Sequence, residues 1–247
     1  MPDRQPFEER ASQSVTVPSG QVKLPILYYD ATAVAASFVV SRAPVERLLS
    51  PRLRPAPFWP GRALMSVACC DLHETSVGPF AQAVIAFPCV LAGGGLLTEL
   101  RTFGWHVWKL CVTSPLMLEA SESVWGFAGL KAEIAREDGA EWQVFAVAAE
   151  GRELFRLRVA VGRRFLRDRR VFRSYALTDA EVRSTPLETA GRVAPQLLPT
   201  SATITLGDHP LGDELTALGV RRGFAFGAAH YRELQGVLPR PDRTYPR

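Results

Sequence analysis

The sequence predicts a mainly β fold, an antiparallel sheet curled or closed on itself and accompanied by a few short helices. Residues 154–161 alternate cleanly, with Phe155, Leu157, Val159 and Val161 on one face and Arg156 and Arg158 on the other. Segments 131–136, 142–148 and 154–161 follow one another at the spacing of a β-meander. Few stretches carry a helical period over a helix's length, so alternating βαβ units are not predicted.

Taken in order, residues 1–20 are polar and proline-spaced and are expected to form a flexible arm. A domain then spans 21–238. Apolar and aromatic residues across 24–40 predict a strand. Ser41-Arg42-Ala43-Pro44 opens a short helix over 45–49, and Pro51, Pro55, Pro57 and Pro60 impose an irregular connector. Strands are expected at 63–70 and 80–91 on either side of a turn-rich 71–79, then at 106–112. One or two helical turns fit 116–123. Towards the end, 201–206 predicts a strand, 207–210 a turn and 213–218 a helix stopped by Gly219, with 239–247 a polar tail.

Composition narrows the class. The chain has 247 residues, 47% of them hydrophobic and 22% charged, which suits an ordinary globular domain. Cys69, Cys70, Cys89 and Cys111 lack paired metal-ligand spacing, and neighbours 69 and 70 point to opposite faces of a strand. They read as reduced core residues of a cytoplasmic protein, with no cofactor or metal implied. The first ten residues are too polar for a secretory signal. The uncharged run 79–97 contains Gln82, Pro88 and three consecutive glycines, so it reads as strand, turn and strand and no membrane span is expected.

Basic charge is concentrated. Arg163, Arg164, Arg167, Arg169, Arg170 and Arg173 stand against the single acid Asp168 within 163–173. No known nucleic-acid motif accompanies them, which argues against nucleic acid. The run reads as a solvated loop, or as a docking site in which Arg163, Arg164, Arg167, Arg169 and Arg170 meet an acidic carrier protein delivering a tethered intermediate.

The most specific stretch is Ser121-Glu122-Ser123-Val124-Trp125-Gly126-Phe127-Ala128-Gly129-Leu130-Lys131. It resembles the active-site segment of the acetoacetate decarboxylase-like superfamily, Trp-Gly-aromatic-Pro-Lys followed by an apolar strand. His106 to Ser114 is similar to the strand and Val-Thr-Ser turn preceding that segment, Gly78 to Val84 to its Gly-x-Tyr-x-Glu element, and Ser41 to Leu53 to its short helix. The resemblance covers about residues 25–160. It implies a cone-like β-barrel with a central cavity, often in homo-oligomers, and a lysine that forms a Schiff base with a keto substrate.

The catalytic groups do not carry over. Gly129 stands where the family has its lysine, and Gln82 where it has a pocket glutamate; its earlier glutamate and its arginine fall near Val67 and Ala31. An imine-forming lysine must lose its proton near neutrality through burial or a neighbouring cation, as the lysine of acetoacetate decarboxylase does, and glycine has no amine. On a strand, Lys131 shares a face with position 129 about 7 Å away and is the candidate for a relocated nucleophile. Equally, Leu130, Ala132 and Ile134 form the apolar face and leave Lys131 and Glu133 in solvent.

His106 is a candidate acid or base, or a structural histidine. Phe80, Trp105, Trp108, Trp125, Phe127 and Gly129 are the expected lining of a pocket, although aromatics also fill cores. His73 with Asp71 and Glu74 is a weak metal pattern, and His209 and His230 read as turn and surface groups. The expected function is a biosynthetic lyase-, cyclase- or isomerase-like reaction on a hydrophobic carbonyl-containing metabolite, with Gln82 polarising the carbonyl and His106 shuttling a proton. The alternatives are Schiff-base decarboxylation or aldolase-dehydratase chemistry through Lys131, and a non-catalytic ligand-binding protein.

Overall fold

Alternating apolar side chains need a layer to cover them, and the computed structural model, which describes residues 13–93, 95–220 and 223–246, supplies two such layers. The amino-terminal hairpin is β1 (Gln13–Val17) and β2 (Gly20–Leu24). β3 (Ile26–Ser41) leads to α1 (Arg42–Leu48) and β4 (Leu53–Pro55); β5 (Arg62–Thr75), β6 (Phe80–Leu91), α2 (Leu96–Thr102) and β7 (Gly104–Val112) follow. α3 (Pro115–Ala120) runs directly into a π-helical turn, Ser121–Trp125. β8 (Gly129–Lys131), β9 (Glu133–Asp138), β10 (Trp142–Ala149), β11 (Arg152–Ala160), β12 (Leu166–Leu177) and β13 (Glu181–Gln196) come next. The chain closes with β14 (Ala202–Leu206), α4 (Pro210–Ala217), β15 (Gly223–Phe224), β16 (Gly227–Leu238) and β17 (Arg243–Pro246).

Strands β3, β5, β6, β7, β12, β13 and β16 close into a seven-stranded barrel in the order β6-β5-β3-β16-β13-β12-β7, with β7 returning to β6. A second sheet, β15-β14-β11-β10-β9, packs on its outside. Val34, Ala36, Phe38, Met65, Val67, Cys69, Ile85 and Phe87 of the barrel meet Phe145, Val147, Phe155, Leu157 and Val159 of the smaller sheet in one buried cluster. The face of 154–161 read as apolar is the face that is covered.

Several stretches differ from expectation, among them residues 96–102, which follow the glycine turn as helix α2 and not as a strand. Residues 166–173 are strand, paired along the whole of β12 with β13; both faces carry arginine, so no polar-apolar period announces them. The barrel is mixed, because β7 runs parallel to β8 and to β12. Residues 13–20 pair in the hairpin, and Arg243–Pro246 of the tail adds to β13. β5 also continues through the expected turn as far as Thr75. The first twelve residues of the arm lie outside the described residues.

Candidate functional site

Period-two geometry decides what the barrel encloses. On β3, Val34, Ala36, Phe38 and Val40 face the smaller sheet, so Ala33, Ala35 and Ser37 turn inward. The same alternation turns Leu64, Ser66, Ala68 and Cys70 of β5, and Gln82, Val84 and Ala86 of β6, into the lumen. Most of these are small, and small inward residues leave room inside a barrel.

One end is closed by the superfamily-like segment. Ser114 caps α3 by accepting from the Met117 amide, Pro115 starts the helix, and Gly126, at φ +76°, ends the π turn in a left-handed conformation that glycine adopts without strain. Met117, Ala120, Trp125 and Phe127 join Val22, Leu24, Tyr28, Phe80, Leu110 and Val112 in a second buried cluster. Trp125 is fully buried, its indole N–H donating to the Pro239 carbonyl at 2.7 Å, and it stacks on Phe127 with ring centroids 6.5 Å apart. Phe80 meets Tyr28 edge-on at 6.4 Å. Phe80, Trp125 and Phe127 therefore plug the barrel.

The other end is open. Ser37, Ala56, Pro57, Phe58, Leu64, Ser66, Pro88, Phe103 and Trp105 line a cavity of about 200 Å³. The Ser37 and Ser66 hydroxyls are 2.9 Å apart on its wall, and Trp105 lies between Phe103 and Phe172, at 4.9 and 5.2 Å. A larger furrow of about 350 Å³ beside Ser123, Arg183 and Arg240 lies outside the barrel. There Arg183 is committed to Glu181 and to the Ser123 and Val124 carbonyls.

Deeper in the lumen, register sets polar groups in one row. Tyr231, Ala33, Cys70 and Gln82 are successive partners across β16, β3, β5 and β6 and so share the inward face. Burial pushes the Cys70 thiol up to about 12, only partly opposed by its register partner Gln82. Burial also raises the Tyr231 phenol, against the opposing effect of Arg170, so it stays a neutral donor at physiological pH. Arg170 turns inward with Phe172 on β12 and pairs with Asp168 through two bonds of 2.6 and 2.7 Å.

Of the expected site residues, Gln82 and Trp105 thus face the lumen or its mouth. His106 points the other way: it is buried, its Nδ1–H donates to the Tyr175 carbonyl at 3.3 Å, and burial lowers its pKa to about 4. Trp108 packs on Phe87 at 5.7 Å on the side of the smaller sheet, with the Lys109 ammonium 5.0 Å from its ring centroid. Gly129 lies opposite Leu110, and a β-carbon there would run into the Leu118 side chain and come within 3.0 Å of Glu122 Oε1. Lys131 is exposed, while Leu130 and Ala132 belong to the buried face. Lys23 is also exposed, and Lys109 pairs with Glu214 at 3.5 Å.

Arg170, expected on a docking surface, is paired with Asp168 on the inward face of β12, with 48% of its side chain exposed. His230, expected at the surface, is 2% exposed and lies edge-on to Phe165. His73 Nε2 is 3.1 Å from the Thr32 hydroxyl and Asp71 pairs with Arg136; among the described residues no cluster of His, Cys, Asp and Glu suited to a metal ion is found. No described helix is long and apolar enough to cross a membrane. Sequence reading missed Tyr231 and Cys70, which carry no motif and fall into one row with Gln82 only through register across the closed sheet.

Solved structures resemble this arrangement throughout its length. Acetoacetate decarboxylase from Legionella pneumophila subsp. pneumophila str. Philadelphia 1 superposes with a TM-score of 0.66 at 10% identity, over 97% of this chain and 94% of the other. The fold is that of the acetoacetate decarboxylase-like enzymes. The enduracididine biosynthesis enzyme MppR, with HEPES buffer bound, gives 0.65 at 15% identity over 97% and 96% of the two chains. An acetoacetate decarboxylase-like enzyme from Sphingomonas wittichii RW1 gives 0.61 at 14% identity over 93% and 98%. No protein-family model and no curated protein matches the sequence. Within the acetoacetate decarboxylase-like fold, this chain combines a plugged end, an open aromatic mouth and a lumenal row of neutral polar groups.

Proposed function

We propose that the chain is a small-molecule enzyme working in the barrel lumen without a Schiff base, on a fairly hydrophobic carbonyl-containing metabolite. The supporting observation is the placement of every lysine: Lys23 and Lys131 are exposed, Lys109 is tied to Glu214, and Leu118 and Glu122 occupy the space beside Gly129. Activating an imine-forming amine takes an apolar enclosure or a neighbouring cation, and neither solvent exposure nor an ion pair with a carboxylate supplies one.

The lumenal row suits a different task. The Gln82 amide and the neutral Tyr231 hydroxyl are donors that polarise a carbonyl, while the aromatic mouth around Trp105 and Phe172 folds an apolar substrate into a reactive conformation. That combination fits a cyclisation, isomerisation or dehydration. His106, neutral and directed away from the lumen, has no place in it as a proton shuttle. MppR has been solved complexed with pyruvate, and we extend to this chain the inference that a carbonyl compound occupies the barrel.

Borohydride reduction in the presence of pyruvate, acetoacetate and aromatic β-keto acids, read by intact mass, tests the absence of an imine. No mass increase is expected, and a reduced adduct on Lys131 overturns the mechanism. For any substrate turned over, Gln82→Ala and Tyr231→Phe are each expected to lower kcat/KM by roughly tenfold or more, as loss of a donor to developing charge does. Ligand affinity that falls in both variants, with no turnover by any form of the protein, favours the non-catalytic reading.

A further inference from the structure

The outer surface of the barrel carries an arginine row that the lumen does not explain. Arg167 on β12 stands opposite Arg192 on β13, which stands opposite Arg232 on β16, so three guanidinium groups share one face across three adjacent strands. Like charges directly opposite on a sheet are destabilising. Of the acids on this face, Glu188 stands further along β13 opposite Val171, and Glu233 reaches Arg192 at 3.5 Å with 68% of its own side chain exposed, which gives it little energetic weight. Arg163, Arg164, Arg167, Arg169 and Arg232 have no acidic partner among the described residues. The row is nonetheless ordered: Arg192 and Arg232 lie over the Phe165 ring, at 6.0 and 4.8 Å from its centroid.

The surface also has apolar character. Val171, on the same face of β12 as Arg167 and Arg169, is 63% exposed. A cationic row with an aromatic base and an adjacent aliphatic side chain suits the side of a protein better than a phosphodiester backbone, which uses charge alone. Strands lie about 4.8 Å apart, so the three arginines span about 10 Å; acidic residues one and two turns apart on a helix, at about 5.4 Å pitch, match that spacing.

We propose that this face docks a small acidic helical domain of the kind that carries an acyl substrate on a flexible arm. Val171 precedes Phe172, which contacts Trp105 at the mouth of the lumen. The five strand steps from Arg167 to Phe172 cover about 17 Å, within reach of a long tether. The delivery role rests on the lumenal reading above; the docking surface does not.

Binding of the full chain to an acidic acyl-carrier domain is the test, with a DNA duplex and anionic phospholipid vesicles as competing probes. Micromolar association that weakens steeply from about 50 to about 300 mM salt is expected. Combined Arg167→Glu, Arg192→Glu and Arg232→Glu substitution is expected to weaken it by about tenfold or more. The milder Arg192→Gln guards against misfolding: removing one member of a like-charge row is expected to keep or raise the melting temperature while still weakening the complex. No carrier binding, binding indifferent to these changes, or tighter binding to duplex or vesicles each overturns the proposal. Ligand binding in the lumen, followed by tryptophan fluorescence, is expected to be untouched in the variants, so the two readings fail separately.

Discussion

The Leu118 side-chain end lies where a β-carbon at Gly129 would project, so any side chain introduced there must first displace it. Gly129→Lys is therefore expected to destabilise the fold by about 1–3 kcal/mol through overpacking, and not to create an imine-forming lysine. For a chain of this size that lowers the melting temperature by about 2–4 °C per kcal/mol. Unchanged melting, or a borohydride-trapped adduct at the new lysine, contradicts the packing argument.

That relationship also shows what the sequence could convey. Alternation in 154–161 and the meander spacing around it were readable because one face is covered by the barrel and the other is wet. β12 was not, since Arg167, Arg169 and Arg170 place charge on both of its faces, one outward and one committed to Asp168 inside. The Trp-Gly-Phe frame pointed correctly to the fold. Its side chains, however, pack into the plug, and an aromatic's presence says nothing of which end of a barrel it closes. Gln82 was legible through its motif; Tyr231, separated from it by three strand steps in space and most of the chain in sequence, was not.

Two buried histidines make stability depend on acidity. His106 and His230 are both lowered to about 4, in each case chiefly by burial, and each binds its proton near 6.5 once unfolded. Between those values the unfolded chain holds more protons than the folded one, so stability is full above about pH 6.5 and is lost as pH falls towards 4. The slope contributed by each histidine is at most about 1.4 kcal/mol per pH unit. Urea unfolding of the wild type and of His106→Gln across this window is expected to show one fewer proton linked to unfolding in the variant. An identical slope would mean that His106 is already protonated in the fold.

The thiols are expected to be unreactive. Burial raises Cys69 strongly and pushes Cys70, Cys89 and Cys111 to about 12. At pH 8 only about one in ten thousand of the latter groups is thiolate, against roughly a quarter of a free cysteine. Iodoacetamide is therefore expected to label none of the four within the time that modifies all of them in urea. Rapid native labelling at Cys70, which faces the lumen, would place it in a more open setting than its pairing with Gln82 implies.

The bond from Trp125 to the Pro239 carbonyl joins the plug to the segment that links β16 to β17, and it predicts coupling between two parts of the chain far apart in sequence. Trp125→Phe keeps an aromatic ring to stack on Phe127 but removes the N–H donor and some buried volume. The half-buried Pro239 carbonyl then loses its indole partner, a loss of about 1 kcal/mol for a typical hydrogen bond. A fall in melting temperature is expected, together with faster amide exchange along Arg243–Pro246, whose pairing with β13 begins just beyond Pro239. Exchange in β14, remote from the plug, is expected to change only as far as global stability does. If the protein is destabilised while exchange at Arg243–Pro246 stays as slow as before, β13 alone anchors that strand and the indole bond serves only the plug.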